Sequence, residues 1–321
     1  PDVLMATHSG EIISEADPAE IVMIDKRRQS GQCLKNVAGV QRALDSVGSS
    51  QNITLTALAK SRRILFVEGL DDFRLLRRFA RKMGMQELSA GTGITPLASG
   101  GFGSWNRITI LASGIAEALG SPLMIGAVYD RDYYCQDQIS SVLRALESSL
   151  KIACVLERKE IENYLLVPAA LDRAAHREIS NKTSKMDKRN IGKVNCADIL
   201  DEITINMKAE VLSQVSARRH DFLSNTGTDK SIIYREAFDH VESQWSSLEK
   251  RIALVPGKEV LGILRDRIQA EFGVTLTDAR IAESMTREEI PADIRRLLNN
   301  LEIFRTSTDE GALIGKDDFH Q

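Results

Sequence analysis

The chain has 321 residues, more than a single domain usually needs, so two domains or one domain with insertions is the starting expectation. It is 43% hydrophobic and 27% charged with a net charge of -3, an ordinary globular balance that excludes a generally basic coat for nucleic acid and leaves any DNA contact to local basic patches or bound metal. The longest clearly apolar run, Pro122 to Tyr129, is too short to span a bilayer, and no secretory leader precedes the globular pattern, so a cytoplasmic protein without membrane partners is expected.

In chain order, Val3 to Ala6 reads as a short strand and Ile21 to Asp25 as a second apolar stretch, with a polar connector from Arg27 to Asn52. The pattern changes at Ile64. Ile64 to Val67 is a continuous buried-strand run, and Asp71 to Met83 follows as a helix with apolar Phe73, Leu75, Leu76 and Phe79. Its basic residues (Arg74, Arg77, Arg78, Arg81, Lys82) read mostly as a solvated face. Thr95 to Ser99 is a strand, Ser104 to Leu119 a helix, Leu123 to Tyr129 a strand, Gln138 to Leu150 a helix and Ile152 to Leu156 a strand. Strands alternating with helices predict an α/β fold, a parallel sheet flanked by helices. Beyond Pro168 the strand signal stops. Ala197 to His220 and Lys230 to Ser247 read as helices of an inserted all-helical subdomain, residues 168–250. Ile252 to Val255 reads as a resumed strand, followed by a helix after Pro256-Gly257-Lys258, a last helix from Ala292 to Leu301 and a disordered tail from Thr306.

Three of the predicted strands run into acids: Val67-Glu68-Gly69-Leu70-Asp71-Asp72, Tyr129-Asp130-Arg131-Asp132, and Leu156-Glu157 with Glu160 and Glu162 just beyond. The C-terminal ends of parallel strands are where such sheets present functional groups. Asp130 and Asp132 lie two apart, so extended backbone would turn both to one side and Arg131 to the other. Glu68 and Asp72 lie four apart across a strand-to-helix turn, within reach of one locus. Carboxylates gathered without matching positive charge repel one another, and a divalent cation relieves that repulsion; oxygen donors favour Mg or Mn. Each motif alone has a plainer reading: Asp71 or Asp72 as a helix cap, Asp-Arg-Asp as a surface ion-pair cluster. Their coincidence at three strand ends favours a metal site.

The Val67-Glu68-Gly69 and Asp130-Arg131-Asp132 elements, each after an apolar strand, resemble the Toprim pattern of topoisomerases, primases and related nucleases. With Asp72, Glu160-Ile161-Glu162-Asn163-Tyr164 and Ala6-Thr7-His8-Ser9, the chain more specifically resembles the OLD (overcoming lysogenization defect) family, whose members join an ABC-type ATPase to a C-terminal Toprim nuclease. The resemblance covers residues 56–167 and, by the short N-terminal match, residues 1–25. It implies a DNA endonuclease with Glu68, Asp72, Asp130, Asp132 and Glu162 holding two divalent ions, Mg or Mn. It also implies a phosphate-stabilising lysine, for which Lys258 is the match, so that Glu68, Asp130, Asp132 and Lys258 form the catalytic set. Glu162 is taken over Glu157 and Glu160 because Glu-Asn-Tyr fits best. Residues 1–55 would then end an ATPase domain and linker, residues 56–167 and 251–305 would form the Toprim core, and residues 306–321 the tail. His8 matches the histidine that senses the γ-phosphate in ABC-type ATPases, or else is a surface histidine.

No GxxxxGK[ST] occurs, so no ATP site is expected in this chain. A fragment of a longer protein is expected, with DNA and its own ATPase domain as partners and homodimerisation through the missing region open. Ser99 to Gly103 precedes a helix, but its spacing is that of a turn rather than of a dinucleotide fingerprint. Lys182, Lys185, Lys188, Arg189 and Lys193 form a basic loop suited to the DNA backbone, or else a solvated surface. The four cysteines (Cys33, Cys135, Cys154, Cys196) have no zinc spacing and read as reduced thiols. A topoisomerase or primase fragment, a non-catalytic recombination-mediator module and RNA processing are the rival functions.

Overall fold

A computed structural model describes residues 4–7, 22–25, 30–33, 58, 61–99, 108, 110, 112, 114–116, 122–146, 149–183, 194–224 and 226–307. Four strands, β3 (Arg63–Val67), β4 (Thr95–Ala98), β5 (Met124–Tyr129) and β6 (Ile152–Val155), form one sheet in the order β4-β3-β5-β6, every neighbouring pair parallel. The α/β expectation is met. Away from this sheet, β1 (Val22–Asp25) and β2 (Ser30–Cys33) pair antiparallel, so part of the expected polar connector is a strand. Residues 4–7 carry no regular structure, contrary to the expected first strand.

The apolar run of β3 is continuous because both faces of the sheet are covered. Leu65 and Val67 enter a core shared with α1 (Leu70–Lys82), the 3-10 turn Ile161–Leu165 and the C-terminal helices. Ile64 and Phe66 enter a second core with Ile108, Ile139, Val142 and Leu146. The last three of these lie on α3 (Gln136–Leu146); a short helix α2 (Gln86–Ser89), not expected from the sequence, precedes β4. The described residues 108, 110, 112 and 114–116 are helical, in line with the expected helix there. Gly126 in β5 keeps the sheet thin enough for Phe304: a Cβ there would stand 3.0 Å from Leu65 Cδ1 and 3.5 Å from Phe304 Cζ.

After the 3-10 turn the chain is helical: α4 (Pro168–Thr183), α5 (Cys196–Ile205), α6 (Lys208–Leu223), α7 (Lys230–Gln244), α8 (Leu248–Leu254), α9 (Gly257–Phe272), α10 (Asp278–Ser284) and α11 (Ala292–Thr306). The expected single helix from Ala197 to His220 is two, broken at Asn206 and Met207. Residues 168–250, expected as an inserted subdomain, share the core of the sheet: Leu200, Val215, Ala237 and Val241 belong to the same apolar cluster as Leu65 and Val67.

Ile252 to Val255 is not a strand. Residues 248–254 are helical, with Ser247 Oγ accepting from Lys250 N as the N-cap and Arg251, Ile252 and Leu254 buried. Four apolar residues suit a buried helix face as well as a strand, and here the cap and the packing decide. α11 runs through Thr306, where the tail was expected to begin; residues 308–321 lie outside the described residues. No helix among the described residues is long and apolar enough to cross a membrane.

Candidate active site

Because the four strands are parallel, their C-terminal ends open on one edge, where Glu68 follows β3, Asp130 follows β5 and Glu157 follows β6. The loops beyond β5 and β6 are stitched together. Leu156 N donates to Tyr129 O at 2.9 Å, Asp132 N to Lys159 O at 2.8 Å, and Ile161 N to Asp130 Oδ1 at 3.0 Å.

Asp130 is the electrostatic centre of this edge. Burial, then Glu68, Asp72, Glu162 and Glu160 in decreasing order, push its carboxyl up to about 9 from an ordinary 3.8. Asp72, on the first turn of α1, is pushed up to about 6, chiefly by burial, although Gly69 N donates to its Oδ2 at 2.8 Å. It therefore also serves as the helix cap of the plainer reading. Asp71 points away, paired with Arg74 at 2.8 Å.

Of the three glutamates after β6, Glu162 faces the site. It is 14% exposed, acts on both Asp72 and Asp130, and meets Lys258 Nζ at 3.3 Å. Glu160 lies at the margin, accepting from Lys258 N at 2.9 Å and pairing with Lys159. Glu157 turns to Arg296 at 2.6 Å. Lys258 is 81% exposed and its ammonium holds its proton more tightly than an ordinary lysine, first because of Glu162. The lysine singled out from a three-residue match thus reaches the acidic edge across a long stretch of chain.

Asp132 does not join Asp130. Its φ is +47°, in the left-handed region, so the backbone turns where an extended chain was expected, and the two-residue alternation fails. Its carboxylate meets Lys159 Nζ at 3.5 Å, and it is not among the groups that raise Asp130 most. Lys182, expected in a DNA-gripping loop, donates to Phe272 O at 3.2 Å and Gly273 O at 3.0 Å and so closes the end of α9. Lys185, Lys188, Arg189 and Lys193 lie outside the described residues, as does His8.

Two residues that position the site carried no assigned role in the sequence. Asn163 is fully buried. Its Nδ2 donates to Ile252 O at 2.6 Å and Val255 O at 2.8 Å, and its Oδ1 accepts from Glu160 N at 2.8 Å. It thereby clamps the α8–α9 junction onto the 3-10 turn that carries Glu162. Gly257 allows this approach: a Cβ there would lie 2.6 Å from Asn163 Oδ1 and 2.7 Å from Asn163 N. The second residue, Lys159, is 9% exposed; it bridges Asp132 and Glu160 and lies 5.0 Å from the centre of the Tyr133 ring. An amide at the head of the apolar run Tyr164 to Val167 was the available signal for Asn163, since a buried amide needs several partners.

The donors are all carboxylate oxygens, partly desolvated, with Lys258 meeting Glu162 among the described residues, which is the chemistry a hard divalent cation fits. Among the described residues no three His, Cys, Asp or Glu side chains already stand together at metal-binding spacing. Comparison with protein-family models, with curated proteins and with solved structures finds no match to this chain.

Proposed function

We propose that the chain is a divalent-metal-dependent DNA endonuclease of the Toprim type, and that it works coupled to an ATPase domain as in the OLD family it resembles. The observation that carries this reading is Asp130, half-buried beside Glu68, Asp72 and Glu162 with its carboxyl raised to about 9. A site that pushes a carboxyl so far toward its neutral form is arranged for added positive charge rather than for fold stability.

Glu68, Asp72, Asp130 and Glu162 would hold Mg or Mn, two ions by the resemblance. When bound, such ions lower the pKa of water and neutralise charge on a scissile phosphate. The remaining work falls to the chain. Lys258, exposed and anchored on Glu162, is placed to hold a non-bridging phosphate oxygen. Asn163 keeps the segment bearing Glu162 against the start of α9, so the carboxylate and the lysine approach substrate together. Asp132, tied to Lys159, orients the loop behind Asp130 and is assigned a supporting role in place of a ligand of the same ion.

The test is incubation of the chain with supercoiled plasmid and Mg²⁺ or Mn²⁺. Nicking that disappears in EDTA supports the reading. Cutting that persists in EDTA refutes it, and a covalent tyrosyl-DNA adduct would transfer the site to a topoisomerase.

A further inference from the structure

A second feature lies on the other side of the same loop. Arg131, between the two aspartates in sequence, faces a partly open cavity of about 160 Å³ lined by the loop after β5 and by α6 and α7. Arg219 and His240 reach it from those two helices, and Asp132 and Tyr134 complete its polar wall. The geometry points to a binding site for a phosphate or phosphate-ester group in this cavity, held by Arg131, Arg219 and His240.

Each of the three donors has capacity left over. Arg131 is half-buried and makes no ion pair among the described residues; its one side-chain hydrogen bond is a long one, 3.4 Å to Gln136 Oε1. Cationic side chains taken out of water are ordinarily matched by an anion. Arg219 gives one terminal nitrogen to Glu236 at 3.0 Å, while its Nε is buried without an acceptor. His240 is exposed on α7, and its ring makes no hydrogen bond among the described residues; desolvation, then Arg131 and Arg219, disfavours its charged form.

Two guanidinium forks and a ring N–H arriving from three elements suit an oxyanion with three or four acceptor oxygens better than a carboxylate with two. Asp132 is the one acid on the wall, and Lys159 at 3.5 Å offsets its charge. Arg218 lies over the Tyr134 ring at 4.8 Å and ties α6 to the loop after β5 beside the cavity.

The phosphate could come free or within a nucleic-acid strand, and two probes separate these sources. The 321-residue chain is titrated in EDTA with inorganic phosphate, with a short oligothymidylate, and with chloride at matched ionic strength, while the His240 ring signals are followed by NMR and assigned by their loss in His240→Gln. Saturable movement with phosphate but not chloride assigns a free-anion site, and movement with the oligonucleotide alone assigns a strand phosphate. Arg131→Gln and Arg219→Gln should each weaken binding by about tenfold or more, with Arg131→Lys in between. Ring signals that stay still with both probes overturn the proposal, and so does unchanged affinity in folded Arg131→Gln and Arg219→Gln. The titration needs neither metal nor cleavage, so its failure is distinct from failure of the nuclease reading.

Discussion

Replacing Asp130 by Asn tests the acidic edge most directly, because it removes a charge while keeping the Oδ1 that accepts from Ile161 N at 3.0 Å. A carboxyl that ionises at about 9 in the fold against an ordinary 3.8 takes up a proton on folding. The stability of the metal-free protein should therefore fall as pH rises through that interval, and Asp72, at about 6, adds the same sign over the lower part. Near pH 7.5 the bare difference for Asp130 corresponds to about 5 kcal/mol, and relaxation of the loop with water around a partly exposed carboxyl reduces it to about 2 kcal/mol. Asp130→Asn should then melt roughly 3–6 °C above the unaltered chain in EDTA. Its stability should be nearly flat from about pH 6.5 to 9, where Asp72 has already ionised. With Mn²⁺ the order should reverse: the unaltered chain gains stability by ligand linkage, the variant gains little, and plasmid cleavage is lost. Thermal melts across pH with EDTA or Mn²⁺, beside the plasmid assay, decide the matter. A variant that melts lower in EDTA and still cuts DNA would make Asp130 a structural acceptor and refute the reasoning.

The other predictions concern how the site is held and what it touches. Lys258→Ala should slow cleavage by a few kcal/mol of barrier while leaving Mn²⁺-induced stabilisation almost intact; full activity would make its pairing with Glu162 incidental. Gly257→Ala should lower stability by about 1–3 kcal/mol, because its Cβ would lie 2.6 Å from Asn163 Oδ1; an unchanged melting temperature would show that the α8–α9 junction yields easily. Neutralising Lys185, Lys188 and Arg189 together should weaken DNA binding and reduce its salt slope by about 2–3, and an unaltered slope would return this segment to a solvated surface.

Local pattern sufficed for the sheet. Ile64 to Val67 of β3 is apolar at every position because both faces are covered, and the alternation of such runs with helical periodicity required parallel order and a common edge for Glu68 and Asp130. The same local signals failed where two conformations satisfy them equally. Ile252 to Val255 has the apolar content of a strand, but Ser247 caps a helix there. Asp130 and Asp132 alternate only if the backbone stays extended, and the left-handed turn at Asp132 hands its carboxylate to Lys159. Which glutamate faces the site, and whether Lys258 reaches it, depended on the Asn163 clamp between segments about ninety residues apart. The meeting of Arg131 with Arg219 and His240 is likewise invisible in any window of sequence. Periodicity and capping report the energetics of neighbours along the chain, so they determined the sheet and the acids at its edge. The partners of those acids are set by the packing of distant helices, which only the tertiary structure decided.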